Sequence, residues 1–340
     1  MIDRRDFVKA AAIAAAAAGV PTLSGCARLL TWSESRHAAP EPRRVGMAPS
    51  VEPTEAAETT GAAEATTAPA PPSYPDLGVL HGDDPADNAR QAVALLGGME
   101  RFVKKGDAVI VKPNILTAKE PIYGVTTSPA VVAAIVKMCW EAGAGSVTVL
   151  DNPTAPPRQA YAVSGIARAV DKVDGRMKVL TARDFDLVEF PEGRALTEWP
   201  LVSDIFDADV FINVPCAKTH GLAGLTLSMK NLMGICGGTR GRIHQSFDQK
   251  IVDLNALVRP HLTVLDATRL LVRNGPSGGS LADVRPGDTV VAGTNQVSVD
   301  AYGATLFGRK ASNLSYVTLA AEQDLGEADL DKLEIEERRA

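Results

Sequence analysis

The feature that most constrains this chain is a recurring unit, a short apolar run stopped by proline or aspartate and followed by a helical stretch. Residues 107–112 end at Pro113, residues 146–150 at Asp151-Asn152-Pro153, and the run from Val210 to Val214 at Pro215. Runs of this length and composition suit buried strands, and proline stops them because it cannot donate to a sheet ladder. Between the first two, Ser128 precedes Pro129, the order expected at the start of a helix over residues 130–142. A further helix is expected at 86–96. Strands follow at 178–180, 187–190, 262–266 and 289–292, and helices at 251–258, 298–308 and 312–323. The alternation predicts an α/β fold, a largely parallel mixed sheet with helices on both faces. The folded domain is expected over residues 75–335.

Polar residues gather where the runs end. Lys112 and Asn114 close one strand, Asp151 the next, Asp266 another, and Cys216, Lys218, Thr219 and His220 follow Pro215. Each alone reads equally as a cap or turn residue, but the carboxyl ends of parallel strands converge on one crevice. The densest stretch runs from 208 to 244. After His220 it predicts a Gly-bracketed helix with Leu225, Met229, Leu232 and Met233 on its apolar face and Lys230 and Asn231 beside it. Gly234, Cys236, Gly237 and Gly238 then break the helix, and Arg240, Arg242 and His244 close the segment.

This chemistry has two readings. Lys218, Lys230, Arg240 and Arg242 around Gly-rich turns suit a phosphate or carboxylate. The same cations also suit ion pairs with Asp151, Asp253 and Asp266. Lys218, His220, Lys230 and His244 are the candidate catalytic residues. Lys112, Asn114, Asp151, Asn231, Arg242 and Asp266 are the candidate ligand contacts. A divalent metal held by His220 and His244 with Asp253 or Asp266 is a third arrangement, although no H-x-x-x-H or H-E-x-x-H spacing is present. His261, at a strand start, reads as structural.

Several motifs occur in order: Val111-Lys-Pro-Asn114, Thr126-Thr-Ser-Pro129, Lys218-Thr-His220, Met229-Lys-Asn-Leu-Met-Gly234, Arg242-Ile-His244, Asn274-Gly-Pro-Ser-Gly278, Val299-Asp-Ala301 and Leu306-Phe-Gly308. As an ordered set they resemble the DUF362 family, a bacterial and archaeal domain of undefined function, over roughly residues 109–308. Many members of that family carry a ferredoxin-like pair of four-iron clusters. This chain departs from them. Its cysteines are Cys26, Cys139, Cys216 and Cys236, with no C-x-x-C, so no iron–sulfur cluster is expected. Cys216 and Cys236 are read as packed thiols or as a disulfide across the central loop, and Cys139 as a buried apolar residue.

The amino terminus addresses the chain. Arg4-Arg5-Asp6-Phe7-Val8-Lys9 followed by the apolar run Ala10 to Val20 reads as a twin-arginine signal recognised by the Tat export machinery. Leu23-Ser24-Gly25-Cys26 resembles a lipobox with Cys26 as the lipidated residue, so residues 1–26 form a signal peptide and the mature chain is anchored to a membrane. Residues 27–74, rich in Ala, Pro, Thr and Glu, read as a disordered linker. The expected location is the periplasm or cell envelope. A net charge of −6 with 5% aromatic residues leaves no footprint for nucleic acid. The functional expectation is an enzyme acting on a small anionic ligand. The alternative is a non-catalytic ligand-binding or sensing lipoprotein.

Overall fold

A computed structural model describes residues 73–340. The signal peptide and lipobox read in residues 1–26, Cys26 included, lie outside the described residues, as does the linker up to residue 72. Among the described residues no helix is long and apolar enough to cross a membrane.

The chain enters the sheet with β1 (Leu77–His81) and crosses it with α1 (Pro85–Leu95). β2 (Ala108–Pro113), α2 (Pro129–Glu141), β3 (Ser146–Val149), α3 (Pro157–Val163), α4 (Ile166–Asp171) and β4 (Arg176–Met177) follow. A separate antiparallel pair, β5 (Phe185–Glu189) and β6 (Glu198–Val202), leads through α5 (Asp204–Asp207) to β7 (Val210–Val214). Then come β8 (Cys216–His220), β9 (Gly224–Thr226), α6 (Ser228–Asn231), α7 (Phe247–Leu257) and β10 (Leu262–Leu271). β11 (Val284–Gly293), α8 (Gln296–Thr305), α9 (Ser315–Glu322) and β12 (Ile335–Arg339) complete the fold.

The strands lie in the order β12-β1-β11-β10-β7-β2-β3-β4, with β8 and β9 extending from β10. From β10 to β4 every neighbour is parallel, whereas β11 pairs antiparallel with both β1 and β10. The chain lays β3 and β4 on one side of β2, then returns to place β7 and β10 on the other. The direction of winding therefore reverses between β2 and β7, where Lys112 pairs with Asn213 and Pro113 with Val214. A ligand crevice is expected outside the strand ends at such a switch point.

Right-handed crossovers in opposite directions place helices on opposite faces of a sheet. Alternation along the strands follows that division. Val109, Val111, Val210, Ile212 and Val214 pack with α1, α2, α3 and α4 in one core. Ile110 and Phe211 turn the other way, onto a core shared with β5, β6, α7, α8 and α9. Each fully buried Val, Leu or Ile contributes about 1.5–3 kcal/mol before ordering entropy is counted. The α/β class and the two-faced mixed sheet are as expected.

The interval after Pro215 differs from expectation. Cys216 to His220 is a strand rather than a loop, and it pairs antiparallel with β9. Leu225 belongs to that hairpin, so the expected helix shrinks to α6 and a 3-10 turn over Leu232–Ile235. The apolar residues still point inward, but strand geometry sets Leu225 and helical geometry Met229 and Leu232. The end of the chain also carries a strand, β12, which runs parallel to β1 up to Arg339.

Candidate functional site

The switch point opens into a cleft of about 250 Å³ lined by residues from β8, β9 and α6, from the segments that follow β2, β3 and α6, and from the loop at Pro276. Its floor begins with Lys112, whose side chain runs from β2 toward Gly234 and Asp151. Burial pushes the Lys112 ammonium below its ordinary range, opposed by Asp151. Lys112 Nζ lies 2.8 Å from Asp151 Oδ1 and donates to the Pro113 carbonyl at 2.9 Å. Asp151 Oδ2 in turn accepts from the Ile115 amide at 2.6 Å. Gly234 covers this pair. A Cβ there would lie 2.0 Å from Asp151 Oδ1 and 2.6 Å from Lys112 Nζ, so only glycine fits.

An amide network extends the floor. Asn114 Nδ2 donates to Asn231 Oδ1 at 2.8 Å, Asn231 Nδ2 to Asn213 Oδ1 at 2.8 Å, and Asn213 Nδ2 to Gln296 Oε1 at 2.8 Å. Lys218 Nζ donates to Asn114 Oδ1 at 2.9 Å and also to the Val125 carbonyl. These acceptors are neutral. Burial accordingly lowers the Lys218 ammonium to about 8.

The β8–β9 hairpin supplies one wall. Lys218 and His220, two residues apart on a strand, share a face, and Thr226 sits directly opposite Lys218. Gly224, at φ +73°, makes the turn. The loop at Gly275 passes so close that a Cβ would meet the Thr219 carbonyl at 1.9 Å, which brings Pro276 and Ser277 to the rim.

The second wall is α6. No side chain of its own caps it. Instead the Asp300 carboxylate, from α8, accepts from the Ser228 amide at 2.6 Å and the Met229 amide at 3.2 Å, and from the Ser228 hydroxyl. Met229 and Leu232 are buried in the core, so the short helix presents Lys230 and Asn231 to the cleft. Lys230 is only 8% exposed. Its ammonium has no hydrogen-bond acceptor or carboxylate in reach among the described residues. The Phe247 ring lies 5.9 Å from it at the centroid. Burial, with Lys218 and Arg240 nearby, lowers this lysine to about 7. Arg240 donates to the Asn152 and Met233 carbonyls and likewise has no carboxylate partner among the described residues.

His220 and His244 stack at 5.9 Å with ring planes 12° apart, and His244 stacks in turn on Phe247. Their hydrogen bonds assign opposite tautomers. His220 Nδ1 accepts from the Leu222 and Ala223 amides, each at 3.1 Å, so the neutral ring carries its proton on Nε2. His244 Nδ1 lies 3.2 Å from the Gly241 carbonyl and donates to it, leaving a lone pair on Nε2. Burial and the Lys230 charge push His220 down to about 3 and lower His244 as well.

Lys218, His220, Lys230, His244, Asn114, Asp151 and Asn231 therefore meet at one cleft, with Lys112 directly beneath it. Two expected contacts do not. Asp266 turns to the α2 side of the sheet, where Oδ2 accepts the Ser128 amide at 2.6 Å and Oδ1 the Thr268 amide and hydroxyl. It caps α2 from a neighbouring strand, while the Ser128 side chain makes no cap bond. Arg242 is exposed, and its carbonyl serves Lys250 at 3.0 Å, because the 3-10 turn over Arg240–His244, at three residues per turn, puts Ile243 inward and Arg242 outward. Asp266, committed to Ser128 and Thr268, is thereby kept from His220 and His244. Asp253 is likewise spent on the Ala195 and Leu196 amides, and no group of three His, Cys, Asp or Glu side chains among the described residues is placed to hold a metal. Cys139, Cys216 and Cys236 are free and buried, and burial pushes each thiol up to about 12. Thr226 and Asp300 escaped the sequence reading. Thr226 emerges only from the hairpin register, and Asp300 lay in the Val299-Asp-Ala301 motif without a role.

The family model for DUF362, a domain of unknown function, matches residues 109–305. The chain belongs to the DUF362 family. The matched span includes β2, α6, α7 and Asp300, so the whole cleft lies inside the DUF362 domain. A thylakoid-associated protein of a Synechocystis species is 34% identical over 203 residues, covering 56% of this chain and 60% of that protein. The match thus reaches less than two thirds of that relative's length. Among solved structures, a Thermotoga maritima protein aligns with a TM-score of 0.34 at 14% identity, over 54% of this chain and 51% of its own. The lactate racemase apoprotein from Thermoanaerobacterium thermosaccharolyticum aligns with a TM-score of 0.41 at 11% identity, over 66% of this chain and 55% of its own.

Proposed function

We propose that this DUF362 protein is an envelope-anchored enzyme whose cleft takes a small anionic ligand. Support comes first from Lys230, a nearly buried residue whose ammonium reaches the cleft with no counter-charge in reach. An unpaired buried charge is costly to keep, and a bound anion would compensate it. Lys218 and Arg240, each bonded only to neutral acceptors, point the same way.

The enzyme reading rests on the two imidazoles. His244 offers a lone pair that can take a proton from a bound ligand, and His220 offers a fixed N–H that can steady a developing negative charge. A non-catalytic binding or sensing protein is the second reading. It is favoured by His220, which at about 3 stays neutral and supplies no imidazolium acid. The assignment to the envelope rests on Arg4-Arg5 and on Leu23-Ser-Gly-Cys26.

Titration calorimetry and thermal melting with phosphate, sulfate, acetate and succinate test the cleft. At least one anion should bind and raise the melting temperature, and Lys230→Met should abolish that binding. Failure of all of them to bind would refute the anion site. Incubating the bound anion with protein and following it by NMR separates turnover from storage. For the anchor, Cys26→Ala should move the protein from the membrane to the soluble fraction, and replacing Arg4 and Arg5 by lysine should hold it in the cytoplasm. Unchanged fractionation in both variants would end the export reading.

A further inference from the structure

Resting on the anion-cleft reading, we infer that the ligand of this site is a small dianion, a phosphomonoester or a dicarboxylate, rather than a monoanion or a neutral molecule. The hydrogen-bonding inventory of the cleft is lopsided. Lys230 offers three unused N–H donors. Lys218 spends two on Asn114 and Val125 and keeps one, and His220 offers its Nε2–H.

Thr226 adds a hydroxyl. Its residue is 3% exposed, it lines the cleft, and Oγ1 is buried with no partner among the described residues. Buried hydroxyls normally find partners, and a turn about χ1 that brings Oγ1 to a ligand in the cleft would break no hydrogen bond it now makes. Acceptors are scarce by comparison. Asp151 Oδ2 takes the Ile115 amide and Oδ1 faces Lys112 as an ion pair, and Asn114 and Asn231 bond each other. His244 Nε2 keeps its lone pair.

Charge counting agrees. Once both lysines are protonated, Lys218, Lys230 and Arg240 bring three positive groups to the cleft, and its one carboxylate, Asp151, is already matched by Lys112. A monoanion would leave two of the three uncompensated in a poorly hydrated space, whereas a dianion leaves one, at the partly exposed Arg240. The 250 Å³ of the cleft admits on the order of ten non-hydrogen atoms, since a water occupies about 30 Å³ of liquid. Two acidic groups must therefore sit close together, or one group must carry both charges. Lysines lowered to about 7 and 8 regain protons when a dianion arrives, so binding above neutral pH takes up protons from solution.

The test pairs probes of equal shape and unequal charge, titrated into the full chain at pH 8. Methyl phosphate is compared with methyl sulfate, and succinate with its monoamide. A dianion should bind at least about tenfold tighter than its partner, and the heat in Tris and in HEPES should differ by the amount that proton uptake requires. Thr226→Val should weaken the dianion about tenfold and leave the melting temperature of the free protein unchanged. Discrimination in the methyl pair alone names a phosphomonoester, and in the succinate pair alone a dicarboxylate. Equal affinities within both pairs would overturn the dianion while leaving the anion cleft standing. Absence of binding by every probe would overturn both.

Discussion

Lys112 and Lys230 are buried lysines of one cleft, held in opposite ways. Lys112 lies on a central strand, 2.8 Å from Asp151, under a glycine that leaves the pair no room to move. Lys230 lies on a four-residue helix capped from elsewhere in the fold, and among the described residues its ammonium has no hydrogen-bond acceptor or carboxylate partner. The floor of the cleft is thus chemically closed and its wall open. A closed ion pair serves the fold, because breaking it strands a charge. An open cation burdens the fold until something outside the chain completes it. Stability and binding are therefore assigned to different residues of one cleft.

The largest effect is expected from the floor. Lys112→Met leaves Asp151 charged and buried, and denaturant unfolding should show a loss of about 3–5 kcal/mol. A loss below 1 kcal/mol would mean that the floor is not closed as described. Asp266→Ala comes next. It removes the cap on Ser128 and should cost about 1–3 kcal/mol while leaving anion affinity within twofold of wild type. A large loss of affinity in a stable protein would return Asp266 to the site.

Lys230→Met should act in the opposite sense, raising stability at pH 6 by about 2 kcal/mol while abolishing anion binding. The sign follows from linkage. Lys230 titrates at about 7 in the folded chain and at its ordinary 10.5 when unfolded, so the unfolded chain holds more protons between those values. Wild-type stability from this group therefore rises as pH climbs from about 7 to about 10.5, and the variant should lose that slope. Melting curves across pH 6–10 check it, and a parallel slope in both proteins would contradict an uncompensated Lys230. The smallest effect belongs to Arg242→Gln, which should change stability and anion affinity by no more than about 0.5 kcal/mol each because the side chain is exposed and outside the cleft.

Much of this arrangement was written in one dimension. Val109, Val111, Val210 and Ile212 announce strands by composition and length. Pro113 and Pro215 announce where the ladder stops, and the polar residues after them are the ones the cleft gathers. Those signals are local, and they survive because proline and β-branched residues restrict their own backbone wherever they stand. Asp266 and Arg242 carried equally good credentials and failed, since the face a residue occupies depends on register and on the turn it falls in. Asp266 is one residue out of phase with the core position Leu265, which was enough to send it to the helix it caps.

The sequence alone determined the α/β class, the family membership carried by its ordered motifs, and the set of strand ends from which a site had to be drawn. Only the tertiary structure decided that Lys218, His220 and Thr226 share one face of a hairpin, that Asp300 starts the helix presenting Lys230, and that Asp151 belongs to Lys112. The reason is physical. Local backbone preferences are set by neighbours in the chain, whereas the pairing of buried charges and the orphaning of one lysine are set by which partners remain when strands 30 to 100 residues apart close on the same space.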